Sequence, residues 1–499
     1  MANVFINDDF CGIWLNDPAE MTVEGLKKQI DFYTEQPGAE AILFNMNAMS
    51  AYFNSKTWET VWHDCTEEDE EGRVFYRGRE VVDYEPEPAI KKMVCNARRM
   101  AKNVPDIFEV RYQYCHEKGV EMWHSMRMND AHWVPDPELP QHTEFWREHP
   151  EFRRAAYRVP LSSIWSDQAL DFLHEEVRER AFALIAEYLE HECDGIELDF
   201  LRTTPLFAPG GSDEGMPLLT DMMRRIRKEA DKAAEKFGHR VRIMVRVCPD
   251  PETNLASGMD VFTWAEEGLC DIVAPCPMQP GGNRLDIPVA IWKKLLPANI
   301  VLAPGIDIGI HSGYPGGRMK TNKETDAGFA ATYYYRGADA VYFYNHFYAG
   351  SSYHKRDEQK ITFGFIGDRA KTEARVRRHV ATFREGGLPG VSNTKPFFPL
   401  CWKGSGIYNE IDAGGGTAGR TGYVLIGSNT EITDGEILLN RIKCERVDVP
   451  ADWELPALPH FAFFKAPEGA LHDGYNGIDV INRSLEADFE LRWVELDVI

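Results

Sequence analysis

The chain has 499 residues, 43% hydrophobic and 27% charged, a globular composition too long for one ordinary core. Its 79 Asp and Glu against 55 Lys and Arg leave a formal charge of −24, which repels phosphate backbones and anionic lipid. Nucleic acid and membrane are therefore not expected as partners, and no segment is long and apolar enough to span a bilayer.

The 10 cysteines form no CxxC and no His/Cys cluster at zinc spacing, so no metal or other cofactor is expected. Cys193, Cys248 and Cys276 fall in apolar runs and read as buried thiols, which suits a reducing compartment. The opening "MANVFINDDFCGIW" lacks a basic stretch followed by an apolar one. A cytoplasmic protein is expected, or a secreted or periplasmic one whose signal has been removed.

From the N-terminus, strand-length apolar runs alternate with amphipathic helices. The strands are "VFINDDF" (4–10), "EAILFNMN" (40–47), "VEMWHSMRMND" (120–130), "GIELDF" (195–200), "RVRIMVRV" (240–247), "DIVAPC" (271–276), "NIVLAPGID" (299–307) and "DAVYFYNH" (339–346). "TVEGLKKQIDFYTEQ" opens with a capping Thr, and 167–191 and 217–237 carry apolar residues three and four apart. Strands alternating with helices imply parallel pairing, and eight such units predict a (β/α)₈ TIM barrel over 1–384. The long connection 48–86 and the proline-containing segment 131–166 read as excursions over the barrel top. After about residue 385 helices give way to "GYVLIGS", "GEILLNRIK", "HFAFFKA", "NGIDVINRS" and "DFELRWVELDVI". This rhythm predicts a C-terminal antiparallel β-sandwich over 385–499.

In such a barrel, function gathers at the C-terminal strand ends. Side chains alternate along a strand, so Glu197 and Asp199 share the inward face of the fourth strand, with Ile196 and Leu198 against the helices. The first strand carries Asp8 and Asp9 at its end, the second Asn45 and Asn47. The third offers His124, Arg127, Asn129, Asp130 and His132, the fifth Arg246 followed by Asp250 and Glu252. The sixth leads to Gln279, the seventh ends at Asp307, and the eighth ends with Asn345 and His346. Arg202 follows the fourth strand. Tyr52, Trp133, Phe207, Tyr314 and Tyr348 lie on top loops, where a sugar face could stack.

Each residue also has a structural reading. Glu197 and Arg246 form a buried ion pair in that view, Asp250 and Asp307 are caps, and the histidines are satisfied core residues. Several carboxylates with neutral amides and aromatics around one mouth, and no metal cluster, fit glycoside hydrolysis, in which one carboxylate attacks and a carboxylic acid protonates the leaving oxygen. Glu197 and Asp199 point the same way, so the partner acid should come from another strand. Arg127, Arg202 and Arg246 would also suit a carboxylate or sulfate on an anionic sugar.

With "DGIELDFLR" on the fourth strand, "RMNDAH" on the third and a terminal β-sandwich, the chain resembles the bacterial glycosyl-hydrolase-like barrels catalogued as family-10-type glycoside hydrolases, distant kin of the alpha-amylase superfamily. Gly195, Asp199 and Arg202 match the amylase-like pattern Gly-x-x-x-Asp-x-x-basic. The resemblance implies a retaining glycoside hydrolase with Asp199 as nucleophile, Asp250 or Glu252 as acid and Asp307 as stabiliser. Asn45, Asn47, His124, Arg127, Asn129, His132, Glu197, Arg202, Arg246, Asn345, His346, Trp133 and Tyr314 would bind the carbohydrate substrate. "DGIELDFL" also resembles the family 18 chitinase signature, but Leu201 stands where its catalytic Glu belongs. The second expectation is a non-catalytic glycan-binding barrel; the third, a lyase or metal-dependent hydrolase, lacks an HxH or HExxH motif. A homo-oligomer is compatible with all three.

Overall fold

A computed structural model of the chain describes residues 4–9, 12–82, 89–157, 159, 164–277, 282–312, 318–346, 348, 356–382, 400–401, 406–433, 435–482 and 489–499. All eight anticipated barrel strands are present and parallel: β1 (Val4–Asp8), β2 (Ala39–Asn45), β3 (Glu121–Arg127), β4 (Gly195–Asp199), β5 (Arg242–Val247), β6 (Ile272–Pro275), then a seventh split into β7 (Val301–Leu302) and β8 (Gly305–Ile306), and β9 (Val341–Phe343). They make one nine-stranded sheet in the order β8-β9-β1-β2-β3-β4-β5-β6-β7. Its two ends are pieces of one chain segment interrupted at Ala303–Pro304. Proline has no N–H to give a ladder. Ala303 still donates to the Val273 carbonyl at 3.0 Å, while the Pro304 carbonyl accepts from Tyr342 at 3.1 Å. The closed barrel expected from the strand count is thus corrected to a curled sheet whose ladder does not close.

Helices cover the outside, among them α1 (Val23–Thr34), α2 (Ile107–Glu117), α3 (Glu175–Tyr188), α4 (Ser212–Phe237) and α5 (Lys323–Tyr335). The Thr22 side chain caps α1 by accepting from the Gly25 N–H at 3.2 Å. Ile196 and Leu198 are buried toward this layer. The connection after β2 is held along the helices as well. Phe53 packs on Phe108 and Tyr188, and Glu187 of α3 accepts from the Ser55 hydroxyl and the Lys56 N–H, each at 2.6 Å. So part of that excursion runs against the helix layer rather than over the top.

Inside the curl, side chains stack in layers. At the bottom Phe5 meets Trp123 edge-on at 5.8 Å, and Arg242 lies 5.0 Å over the Trp123 ring while pairing with Glu40 and Glu121. A Cβ on Gly195 would come 2.5 Å from the Trp123 indole, so the glycine that opens β4 makes room for this layer. Polar residues occupy the layers above.

The C-terminal residues form two antiparallel sheets. One holds β10 (Arg377–Val380), β12 (Gly422–Ser428), β14 (Glu445–Val447), β15 (His460–Lys465) and β17 (Glu490–Val498), with Leu400–Cys401 on its edge; the other holds β11 (Ile407–Asp412), β13 (Gly435–Leu439) and β16 (Tyr475–Asn482), edged by Ile442–Lys443. Strand β10, at the end of the expected barrel region, pairs with β17. The expected boundary at 384–385 lies outside the described residues. Helix α5 ties the parts together: Thr332 Oγ1 donates to the Asp412 carbonyl at 3.0 Å, and Arg336 pairs with Asp412 at 2.5 Å. Among the described residues no helix is long and apolar enough to cross a membrane, and Cys65, Cys95, Cys115, Cys193, Cys248, Cys270, Cys276 and Cys444 are free thiols.

Candidate active site

Strand β4 ends at the mouth with Asp199 buried. Its Oδ1 accepts from Arg246 Nη1 at 2.7 Å and from the Leu201 N–H at 2.9 Å. Oδ2 has no hydrogen-bond partner among the described residues. The Arg246 guanidinium is itself stacked 3.4 Å from the centre of the Tyr344 ring and donates from Nη2 to the Pro277 carbonyl at 3.2 Å. Arg246 therefore belongs to Asp199 and not to Glu197, because β4 and β5 pair Asp199 with Arg246 in register.

One layer down, Glu197 is held by neutral donors from distant strands. Asn7 Nδ2 donates to Oε2 at 2.8 Å and Tyr342 OH to Oε1. Burial, and then the negative charge of Asp199, push the Glu197 carboxyl up to about 7. The two acids are thus made different by their partners.

Around Asp199 the polar chain continues. Arg127 pairs with Asp9 and, at 2.9 Å, with Asp130. Asp130 accepts from His132 Nδ1 at 2.6 Å, and His132 Nε2 accepts from Arg202 Nη2 at 3.0 Å. Accepting at Nε2 makes His132 the neutral tautomer with its proton on Nδ1. Burial, with Arg202 beside it, holds the His132 pKa down; against its own burial, Asp130 is held far below the usual carboxylate range by the hydrogen bond from His132 and the charges of Arg127 and Arg202. Arg202 also donates to the Tyr344 hydroxyl at 2.5 Å. Each of the three arginines already faces an acid, so the charges nearly balance.

On the opposite side, Asp307 follows β8 on the inward parity set by the Gly305–Tyr342 pairing. Its backbone is clamped by Asn283, which accepts from the Asp307 N–H at 2.7 Å and donates to its carbonyl at 2.6 Å. Asn345 Nδ2 reaches Asp307 Oδ1 at 3.4 Å from a left-handed backbone (φ 59°) that asparagine tolerates. The buried Asn345 Oδ1 has no partner among the described residues.

Other anticipated residues sit elsewhere. His124 points into the helix layer, stacked on Tyr188 at 5.1 Å and edge-on to Phe108, with burial lowering its pKa to about 3. Asn47 accepts from the Arg127 N–H and donates to the Arg127 carbonyl, bracing β3; Asn45 donates to the Ser125 carbonyl at 3.0 Å. Asn129 clamps Leu170, and His346 is packed on Phe343 and bonded to Gln359. Asp8 faces Gln29 and Tyr33 of α1, as alternation with Asp9 requires. Asp250 occupies the N-cap position of the short helix Pro251–Ala256 without a side-chain cap bond and pairs instead with Arg284 at 2.6 Å in a separate cavity, while Glu252 lies exposed on that helix. Tyr52, Trp133, Phe207 and Tyr348 are all buried. Tyr314 and Gln279 lie outside the described residues.

The strand readings passed over Asn7, Ser125, Tyr342 and Tyr344. The signal was parity: Tyr342 and Tyr344 alternate in "DAVYFYNH" as Asn7 and Asp9 do in "VFINDDF". Trp165 was passed over too; it is 38% exposed, with its ring 4.8 Å from that of His132.

No family model matches the sequence, and no curated protein does. Among solved structures the chain is similar to a cycloisomaltooligosaccharide glucanotransferase from Paenibacillus sp., with 8% identity and a TM-score of 0.34 over 98% of this chain and 57% of the other. It is similar to an alpha-galactosidase from Thermus thermophilus at 13% identity and a TM-score of 0.37, covering 76% and 63%. It is also similar to an isomalto-dextranase from Arthrobacter globiformis at 8% identity and a TM-score of 0.33, covering 99% and 96%. The chain thus spans less than two thirds of the length of the first two. At these scores the likeness is a coarse one.

Proposed function

We propose that the chain is a glycoside hydrolase acting on a neutral oligosaccharide, with Asp199 as the nucleophile. One observation carries this reading: at a strand end in the mouth, Asp199 is anchored through Oδ1 by two donors while Oδ2 is left for a reacting atom. Oδ2 attacks the anomeric carbon as the bond to the leaving oxygen breaks, and a second carboxyl group protonates that oxygen. Water then releases the sugar with retention. Asp307, inward on the seventh strand, takes the second carboxyl's part. Asp250 is directed by Arg284 into another cavity, and Glu252 is exposed. Arg202, His132, Asn345 and Trp165 would position sugar hydroxyls and a ring face. The pairing of every mouth arginine with an acid disfavours an anionic substrate.

The same pairing favours one other reading, a barrel that binds glycan without cleaving it. The experiment measures reducing-end release from a panel of neutral oligosaccharides by wild type and Asp199→Asn. Asparagine keeps an acceptor for Leu201 and Arg246 but leaves the buried arginine charge unbalanced, so stability should fall by about 3–5 kcal/mol. Turnover per folded molecule should fall by roughly 10³-fold or more. Retained turnover would overturn the assignment of Asp199, and binding with no release by wild type would favour the second reading.

A further inference from the structure

A second cavity, of about 370 Å³, opens where the chain after β6 meets the C-terminal sheets, a size in the usual ligand range. Leu285, Ile287 and Ile291 give it an apolar wall. The other side carries two ion pairs, Arg284 with Asp250 at 2.6 Å and Arg336 with Asp412 at 2.5 Å. Tyr475 stands at its edge, 51% exposed, with Arg336 4.1 Å over one face of the ring.

From Tyr475 a strip runs along the outer face of β11 and β16. Register places Asp412 beside Tyr475, Glu410 beside Gly477 and Tyr408 beside Asp479, all of one parity. Tyr408 is 61% exposed. Its ring reaches across to Gly477, where an added Cβ would stand 3.0 Å from ring carbon and hydroxyl alike. Gly477 has no left-handed backbone to explain the glycine; the missing side chain lets the Tyr408 ring lie down on the sheet with its other face open. Asp412 to Tyr408 spans four residues, roughly 13 Å of strand, long enough for a short run of linked sugar rings. Glu410, between the two tyrosines, has no ion-pair partner among the described residues.

Open aromatic faces suit the C–H face of a pyranose, and fixed carboxylates and guanidiniums suit its hydroxyl edge. The acids here, Asp250, Asp286, Glu410 and Asp412, outnumber Arg284 and Arg336, so an anionic polymer is repelled. We propose that the cavity and the Tyr475–Glu410–Tyr408 strip form an accessory binding site for a neutral oligosaccharide, separate from the barrel mouth and independent of whether that mouth hydrolyses.

The test is affinity electrophoresis of the full chain in native gels containing soluble dextran, amylose, galactomannan or xyloglucan, with alginate as the anionic control. Wild type should be retarded by at least one neutral polymer and not by alginate. Tyr408→Ala, which removes a largely exposed ring lying on Gly477, should keep the wild-type melting temperature and bind about tenfold more weakly. Glu410→Ala should weaken binding severalfold, and Asp199→Asn should bind as wild type. No retardation by any neutral polymer, or undiminished retardation of Tyr408→Ala, overturns the proposal. So does binding lost in Asp199→Asn but kept in Tyr408→Ala, which would place the sugar in the mouth.

Discussion

Two acids stand two residues apart on one strand, yet Asp199 is matched by a cation and Glu197 by neutral donors. The matching comes from strands 47, 145 and 190 residues away in sequence. Parity alone placed both acids inward, but only the register between strands decides which of them meets Arg246, and that register is absent from the local pattern. A consequence follows for pH. The folded-state pKa of Glu197, about 7, lies above its unfolded value, so its share of stability is complete below about pH 4.5 and is lost as pH rises through 7. Glu197→Gln should flatten the fall in melting temperature between pH 5 and 8. The Asn7 amide can turn its unpartnered Oδ1 to the new N–H, so the fold tolerates the change. Identical pH slopes in variant and wild type, followed by calorimetry, would contradict the cause assigned to this shift.

At the scale of elements, the strands were readable because strand-length apolar runs bounded by turn residues and spaced by helices admit few arrangements. "GYVLIGS" forms a strand with the bounds expected of it. "NIVLAPGID" broke where its own proline denies the ladder a donor. The connection after β2 read as a mouth excursion because it is long, acidic and aromatic, whereas Glu187 binds the hydroxyls and N–H groups of Ser55, Lys56 and Thr57 and holds that part of it on the helices. Packing inside the curl is equally specific. Gly195→Ala would drive a methyl into the Trp123 indole and shift the bottom layer, at an overpacking cost of about 1–3 kcal/mol. Thermal unfolding should show a melting temperature lower by several degrees; an unchanged one would mean the indole moves aside freely.

The whole molecule divides its surfaces. The curled sheet collects carboxylates, arginines and tyrosines from its strand ends, while the C-terminal sheets dock on α5 and present aromatic rings outward. Composition and charge set an expectation of the partner class before any geometry, since they concern the surface as a whole. The choice between Asp250 and Glu252 was beyond them, because where each side chain points depends on loop paths such as the one that brings Arg284 onto Asp250.

Attack on the sugar by Asp199 Oδ2 is checked by replacing Asp199 with Ala and adding sodium azide to an assay with an activated aryl glycoside. A cavity in place of the carboxylate should admit the small anion, giving a glycosyl azide of inverted configuration from the variant and none from wild type. Hydrolysis by Asp199→Ala at the wild-type rate without azide would contradict a nucleophilic Asp199.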